Sequence, residues 1–198
     1  MFDREVIWSA DGCCGKIGFT FDDGPHPVHT LGVLDELDKL NSKATFFVIG
    51  QNVSRYKDVV REVSRRGHDI GIHTYSHLSM KSVSYDVYMQ DVLRCDQELE
   101  SLGIKTTLFR PPFGDVSWYR IFDLSKNRKI VFWNKDTMDY SFNDIASAWD
   151  YSRQLTLSAG DIILMHDVYA HTPELVRRLG VAAKGAGIEM QTISKMVG

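Results

Sequence analysis

Short apolar segments alternate with longer amphipathic segments along nearly all of the 198-residue chain. The apolar segments are rich in β-branched and aromatic residues, as expected of parallel strands covered by other elements. The segments between them place leucine or valine at helical spacing, and several end at glycine. Strands are predicted at 17–21, 44–49, 69–72, 106–109, 130–133, 161–165 and 188–193, and helices at 31–40, 53–66, 84–102, 116–124, 144–157 and 173–184.

Seven strands separated by helices predict an α/β fold with a parallel sheet. A doubly wound sheet and a (β/α) barrel both fit this order. The chain is shorter than the roughly 250 residues of a full eight-stranded barrel, so a smaller or incomplete barrel fits better. We expect residues 1–198 to form a single domain. Thr30 is a candidate N-cap of the first helix, and Asn143 or Asp144 of the fifth.

The charge and hydropathy of the chain exclude several classes of partner. The net charge of −3 disfavours nucleic acid, because phosphate contacts need clustered lysine and arginine. No apolar run approaches the roughly 20 residues of a membrane-spanning helix. The N-terminus lacks the pattern of a signal peptide. We therefore expect a cytoplasmic protein for the chain as it stands, or a secreted or cell-wall protein if a signal was removed.

The chain has three cysteines. Cys13 and Cys14 are adjacent, which suits no ordinary disulfide geometry, and Cys95 lies in a predicted helix. We expect small buried thiols at these positions, which favours a reducing compartment.

Polar side chains follow five of the predicted strands at the point where each strand ends. The carboxyl ends of parallel strands meet at one rim, where catalytic groups gather in such folds. The sequence therefore predicts a single pocket that collects carboxylates, imidazoles and a guanidinium. These side chains are Asp22, Asp23, His73, His77, Arg110, Asp136, Asp139, His166 and Asp167.

Three of these side chains form a candidate metal site. His73 and His77 are four residues apart, which would place both imidazoles on one face of a helical turn. Asp23 completes a set of two histidines and one carboxylate, which leaves coordination positions open and therefore favours catalysis over structure. This set suits zinc, and cobalt or nickel are alternatives.

Each segment also has an ordinary structural explanation. Asp22 and Asp23 begin an Asp-Asp-Gly-Pro sequence typical of turns. Arg110 could be solvated, Asp136 could lie in a surface loop, and His166 could merely close a strand by a hydrogen bond. The coincidence of position at the strand ends, and no single motif, favours a common site. The remaining histidines are expected to be solvent-facing or structural; they are His26, His29, His68 and His171.

Taken together, these segments resemble the NodB-homology polysaccharide deacetylases, carbohydrate esterase family four, from Ile17 to about Ile193. The resemblance lies in Thr20-Phe-Asp-Asp-Gly-Pro25, His73-Thr-Tyr-Ser-His77, Arg110-Pro-Pro-Phe-Gly114, Trp133-Asn-Lys-Asp-Thr-Met-Asp-Tyr140 and Leu164-Met-His166. It implies the distorted seven-stranded (β/α) barrel of that family, with parallel strands.

The resemblance also implies roles. Asp22 would be the catalytic base, oriented by Arg110, and Asp139 would support His166 as the general acid. Asp23, His73 and His77 would hold the metal. Substrate would contact Phe113, Tyr140 and Leu164, with Leu164 lining the acetate pocket and a backbone N–H near Phe113 stabilising the oxyanion. The family usually has Trp where Tyr140 stands, and often Tyr at Phe113 and Asn at Ile72, which places substrate fit in question and leaves the reaction unaffected.

The activity implied is metal-dependent removal of acetyl groups from N-acetylglucosamine units of an oligosaccharide or polysaccharide, such as chitin, chitooligosaccharide or peptidoglycan. An O-acetyl esterase acting on xylan could use the same site. A catalytically degenerate sugar-binding protein is disfavoured, because every ionisable position of the motifs is filled.

Overall fold

The structure, a computed structural model, describes residues 6–10 and 15–198. Its strands are β1 Val6–Ile7, β2 Lys16–Asp22, β3 Thr45–Val48, β4 Asp69–Ile72, β5 Leu108–Phe109, β6 Lys129–Val131, β7 Lys135–Asp136, β8 Ile162–His166 and β9 Glu189–Met190. Its helices are α1 His29–Lys39, α2 Gly50–Arg55, α3 Lys57–Arg65, α4 Tyr85–Glu100, α5 Trp118–Ser125, α6 Ile145–Ser152, α7 Thr172–Gly185 and α8 Ile193–Val197.

The strands form one parallel sheet that curls into a barrel. The order is β1-β6-β5-β4-β3-β2-β8-β7, with β9 beside β2. Although β6 and β7 are separated only by residues 132–134, β6 pairs with β5 and β1 whereas β7 pairs with β8. The segment 129–136 therefore closes the sheet between β5 and β8. This arrangement confirms the predicted distorted barrel.

Side chains along the strands alternate between the helical layer and the barrel interior. In β2, Ile17, Phe19 and Phe21 belong to the core beneath the helices. Gly18 and Thr20 lie between them in sequence and face inward. The same period of two places Asp22 on the inward face.

A second, smaller core fills the interior of the barrel. Its buried members are Ile7, Ala10, Phe47, Leu108, Val131, Ile162, Ile193 and Met196. α8 contributes the last two and closes the amino-terminal end of the barrel, where a Cβ added to Gly18 would lie 2.8 Å from Ile193 Cδ1. With one end filled by apolar side chains, the carboxyl end of the strands is left for the polar residues.

Several sequence-based boundaries differ from the structure. The prediction of one helix at 53–66 is wrong: α2 and α3 are separated at Tyr56, whose φ of −124° and ψ of 49° are not helical. The strand predicted at 188–193 is only the two-residue β9, because Ile193 already begins α8. β1 and β7 are two residues each, too short for periodicity to predict, so the described residues contain nine strand segments where seven were expected.

The predicted helix caps have opposite outcomes. Thr30 is not the N-cap of α1, because the helix begins at His29 and the Thr30 hydroxyl instead donates to Asp167. Asp144 does cap α6, since its carboxylate accepts the Ser147 N–H at 2.9 Å.

Cys95 is buried in α4, as predicted, with its thiol 3.6 Å from the carbonyl oxygen of Val48. Cys13 and Cys14 lie outside the described residues. Among the helices of residues 6–10 and 15–198, none combines the length and apolarity that a membrane crossing requires.

The packing of the barrel interior predicts the effect of enlarging Gly71 in β4. A Cβ there would lie 2.5 Å from the Phe47 ring and 3.1 Å from Leu108 Cβ, so both must shift. We expect Gly71→Ala to lower the free energy of unfolding by about 1–3 kcal/mol, as overpacking does, measured by urea denaturation.

Gly185, at the end of α7, is the matched control, because no atom lies within 4 Å of an added Cβ. Gly185→Ala should leave stability unchanged or raise it by up to about 1 kcal/mol. Equal effects of the two substitutions would show that the interior is not tightly packed.

Candidate active site

The pairing of β2 with β8 brings two predicted site residues face to face. Asp22 ends β2, His166 ends β8, and the parallel register aligns them directly. On adjacent strands, residues in register lie about 5 Å apart. A carboxylate and an imidazole from segments 144 residues apart in sequence therefore face the same space.

Arg110 lies behind Asp22 and is fully buried. Its Nη1 donates to Asp22 Oδ1 and to Thr20 Oγ1, both at 2.8 Å. Nε and Nη2 donate to the carbonyl oxygens of Val131 and Phe132 at 3.0 and 2.9 Å. The predicted pair of Arg110 with Asp22 is therefore present, and the same guanidinium joins β2 to the segment that closes the barrel.

Burial and the ion pair act in opposite directions on Asp22. Desolvation raises the pKa of this carboxyl above its usual range, while the charge and hydrogen bond of Arg110 lower it. Burial likewise lowers the pKa of Arg110, and Asp22 counteracts that effect. Only one oxygen of Asp22 is engaged by Arg110; Oδ2 lies 3.7 Å from His73 Nε2, toward the candidate metal site.

The three predicted metal ligands converge. Asp23 Oδ1 lies 3.2 Å from His77 Nε2 and 3.5 Å from His73 Nε2. One ligand atom from each residue can be chosen so that all three lie within 4.8 Å of one another. Zinc–ligand bonds of about 2.0–2.1 Å in tetrahedral geometry separate neighbouring ligand atoms by about 3.4 Å, which matches these distances.

The hydrogen bonding and protonation of Asp23 and His73 also suit the binding of a cation. Asp23 Oδ1 is buried and has no hydrogen-bond partner among the described residues. His73 Nδ1 lies 2.8 Å from the Arg110 carbonyl oxygen, so it carries the proton and Nε2 presents a lone pair. Burial lowers the pKa of His73 to about 3, against the attraction of Asp23, and keeps the ring neutral.

The loop from His73 to His77 is not the helical turn that the spacing predicted. Thr74 and His77 have φ of 61° and 56°, in the left-handed region, yet the two imidazole rings lie 5.0 Å apart. Asp91 of α4 supports the loop, since its Oδ2 accepts the N–H groups of Tyr75 and Ser76, each at 2.9 Å. Sequence analysis missed Asp91, because its spacing from the loop carries no motif.

Asp139 holds His166 as predicted. Its Oδ1 lies 2.8 Å from His166 Nδ1, and its Oδ2 accepts the His166 N–H at 2.7 Å. Burial is the largest single influence on His166 and disfavours its charge. The hydrogen bond and charge of Asp139, together with the charges of Asp22 and Asp23, nevertheless raise the pKa of His166 to about 9. The imidazole is therefore protonated at neutral pH.

These groups open into one cavity of about 340 Å³. All three predicted substrate-binding residues line it: Leu164 is buried, whereas 66% of Phe113 and 44% of Tyr140 are exposed. Asp139 and Arg110 lie behind the wall. The full lining is Asp22, Asp23, His73, His77, Phe113, Trp133, Asp136, Tyr140, Leu164, His166 and Tyr169.

Two aromatic side chains of the wall, Trp133 and Tyr169, had no assigned role from sequence. Both lie within three residues of a strand-end motif, which is the signal that could have identified them. Asp136 also lines the cavity, so it is not the plain surface residue considered as an alternative. Burial raises its pKa, and the Met138 N–H opposes that shift.

Asp167 follows His166 but faces away from the cavity. Burial raises the pKa of its carboxyl to about 7, although the Thr30 hydroxyl donates to it. A Cβ added to Gly24 would clash with this carboxylate. Asp167 therefore packs directly against the turn that carries Asp22 and Asp23.

Strained backbone is concentrated at this site. Among the described residues, six that are not glycine have φ in the left-handed region. Three of them, Asp23, His77 and Phe113, line the cavity, and two more, Thr74 and Met138, lie within two residues of the lining. Such conformations cost about 1–3 kcal/mol each and cluster at functional sites. The cavity brings together a buried carboxylate, a protonated imidazole and three side chains that could hold a metal ion, an arrangement that suits metal-assisted hydrolysis of an acyl group.

The chain is similar to known deacetylases. The family model described as polysaccharide deacetylase matches residues 10–127. The chain is 35% identical over 127 residues to a peptidoglycan-N-acetylglucosamine deacetylase of Bacillus cereus, covering 63% of this chain and 46% of the relative. It is 28% identical over 185 residues to the peptidoglycan-N-acetylmuramic acid deacetylase PdaC of Bacillus subtilis, covering 91% of this chain and 38% of that protein. The chain thus spans less than half the length of either relative.

The fold has solved counterparts. The crystal structure of the Bc1960 peptidoglycan N-acetylglucosamine deacetylase superposes with a TM-score of 0.91 at 28% identity, covering 98% of this chain and 93% of that one. The family model matches more than half of the chain. This chain belongs to the polysaccharide deacetylase family.

Proposed function

We propose that the chain is a metal-dependent N-deacetylase that hydrolyses the acetamide of N-acetylglucosamine units in an oligosaccharide or polysaccharide, and that residues 1–198 form one catalytic domain. The observation that carries this proposal is the alignment of Asp22 and His166 on adjacent strands, with Asp23, His73 and His77 in the same cavity. Family membership supports it.

Asp22 acts as the general base. Hydrolysis forms a bond between a water oxygen and the acetyl carbon, and the water proton must leave as that bond forms. Asp22 Oδ2 accepts this proton, because Oδ1 is occupied by Arg110. The buried Arg110 fixes the orientation of the carboxylate and keeps it ionised, while burial makes it a stronger base than an exposed aspartate.

His166 acts as the general acid. An amine leaves only when it is protonated, and the scission of the C–N bond therefore requires a proton donor on the opposite side from the base. Because Asp139 occupies Nδ1, the Nε2–H of His166 faces the cavity and donates to the sugar nitrogen. The products are acetate and the free amino sugar.

Asp23, His73 and His77 would hold the divalent metal on which the family depends. When bound, the metal activates water and polarises the acetyl carbonyl. The two neutral imidazoles and one carboxylate favour zinc, with cobalt or nickel as substitutes.

The acetyl group lies against the apolar part of the wall. Leu164 is in register with Asp136 on the neighbouring strand and lines the cavity two residues before His166. Leu164 and Trp133 would contact the methyl group, and the exposed rings of Phe113 and Tyr140 would flank the sugar.

The direct test is acetate release from N-acetylglucosamine oligomers by metal-loaded protein, before and after chelation. We expect release that stops with chelator and returns with zinc. Release from acetylated xylan alone would identify an esterase, and tight oligomer binding without release, with metal supplied, would identify a sugar-binding protein.

The raised pKa of His166 predicts the alkaline limit of activity. The acid must be protonated, so kcat/KM should fall as pH rises through the pKa of His166. This fall should be centred at or below about pH 9, because a cation bound to Asp23 would cancel part of the negative charge that raises the pKa of His166. Asp139→Asn removes the charge that supports protonation, so this limb should move toward about 6.5, the reference value for histidine. Rates are measured with a chitooligosaccharide from pH 5 to 10.

Asp150→Asn is the control for this shift, because Asp150 is exposed and its carboxylate pairs, among the described contacts, only with Arg153, which caps the carboxyl end of the same helix. An alkaline limb at the same pH in Asp139→Asn and the unmodified protein would exclude His166 as the acid.

Measurements of zinc affinity distinguish the proposed metal ligands from the proposed proton donor. We expect His77→Ala to weaken zinc binding by at least about 100-fold, since loss even of a supporting group typically costs 10–100-fold. His166→Ala should bind zinc normally while its rate falls by about 10²–10⁴. Competition with a fluorescent chelator measures the affinity; weakened binding in His166→Ala would show that this residue is a ligand.

A further inference from the structure

Four carboxylates lie in or behind the cavity wall, and three of them have a cationic partner within the proposed function. Asp22 pairs with Arg110 and Asp139 with His166, each at 2.8 Å. Asp23 belongs to the metal site. The fourth, Asp136, takes no part in the proposed proton transfers.

Asp136 has no such partner. Within residues 6–10 and 15–198, no lysine or arginine nitrogen lies within 4.0 Å of its carboxylate. Its Oδ1 accepts the Met138 N–H at 2.7 Å, and its Oδ2 has only the Tyr140 hydroxyl at 3.4 Å. The two cations that interact with Asp136 electrostatically, Arg110 and His166, are already paired with other aspartates.

Apart from the proposed metal site, the cation in the described part of the wall is the protonated His166, which Asp139 already holds. The residues that line the cavity in the described part of the chain include no lysine or arginine. The one oxygen of Asp136 that is not held by the backbone therefore presents an acceptor, with a negative charge, beside the exposed ring of Tyr140.

We propose that Asp136 is a specificity-determining residue that accepts a hydroxyl hydrogen of a neutral N-acetylhexosamine and disfavours a sugar that carries a carboxylate. This inference rests on the proposed function and refines its substrate class: N-acetylglucosamine is admitted, and N-acetylmuramic acid, whose lactyl group is anionic at neutral pH, is disfavoured. In a partly desolvated site, repulsion between two carboxylates is strong, so a negative side chain there favours binding of a neutral sugar over an anionic one.

The test uses a tetrasaccharide of alternating N-acetylglucosamine and N-acetylmuramic acid, with mass spectrometry showing which sugars lose acetyl groups. Metal-loaded protein should deacetylate N-acetylglucosamine units at least about tenfold faster than N-acetylmuramic acid units. Asp136→Asn keeps the size and the acceptor oxygen but removes the charge, and should lower this preference at least threefold. Asp150→Asn, which removes one surface charge, should leave the preference unchanged.

Binding distinguishes failure of this inference from failure of the proposed reaction. Calorimetry in a His166→Ala background compares the N-acetylglucosamine tetramer with the alternating tetrasaccharide, with and without Asp136→Asn. If no variant releases acetate but Asp136→Asn narrows the difference in affinity, the reaction is wrong and the role of Asp136 stands. An unchanged preference in Asp136→Asn, or equal deacetylation of both sugars by the unmodified protein, would overturn the role of Asp136.

Discussion

The buried guanidinium of Arg110 is the constraint on which both the barrel and its site depend. A fully buried charge is tolerated only when it is paired and its donors are satisfied. Arg110 meets this condition through Asp22, Thr20 and two backbone carbonyls of the segment that closes the barrel. Its planar group also lies 4.2 Å from the Phe47 ring, at the top of the interior core. The closure of the sheet and the orientation of the Asp22 carboxylate thus share one set of contacts.

The two adjacent aspartates consequently have different physical situations. Asp22 ends a strand, faces inward and neutralises Arg110. Asp23 has left the strand with a φ of 72°, and its carboxylate lies beside the two imidazoles, where one buried oxygen has no hydrogen-bond partner in the described part of the chain. Two consecutive residues therefore differ: Asp22 belongs to a buried ion pair, and Asp23 belongs to a group of three side chains that could hold a metal ion. Asp167, packed against Gly24, supports the turn in which this change occurs.

Much of the site could be predicted from sequence, because its polar residues follow the carboxyl ends of recognisable strands. Runs such as 17–21 and 161–165 were long and apolar enough to identify, and the polar residues after them converge in the structure. Two-residue strands such as β1 and β7 were not predictable, because they depend on pairing partners distant in sequence. The irregular loop between His73 and His77 was missed for a related reason: Asp91 fixes it from a separate helix. Periodicity reports which face of an element is apolar, and it does not report contacts between distant polar groups.

The most direct measurement compares the free energy of unfolding of Asp22→Asn and Asp23→Asn in metal-free protein. Because Asp22→Asn leaves the buried Arg110 without its counter-charge, we expect a loss of about 3 kcal/mol or more. Among the described residues, the Asp23 carboxylate lies within 4.0 Å only of the His73 and His77 imidazoles and of no arginine or lysine. It also stands at a left-handed position that asparagine adopts readily, so the effect of Asp23→Asn should stay within about 1 kcal/mol. Equal losses, or a larger loss for Asp23→Asn, would contradict the division between a base fixed by Arg110 and a ligand held ready for a metal.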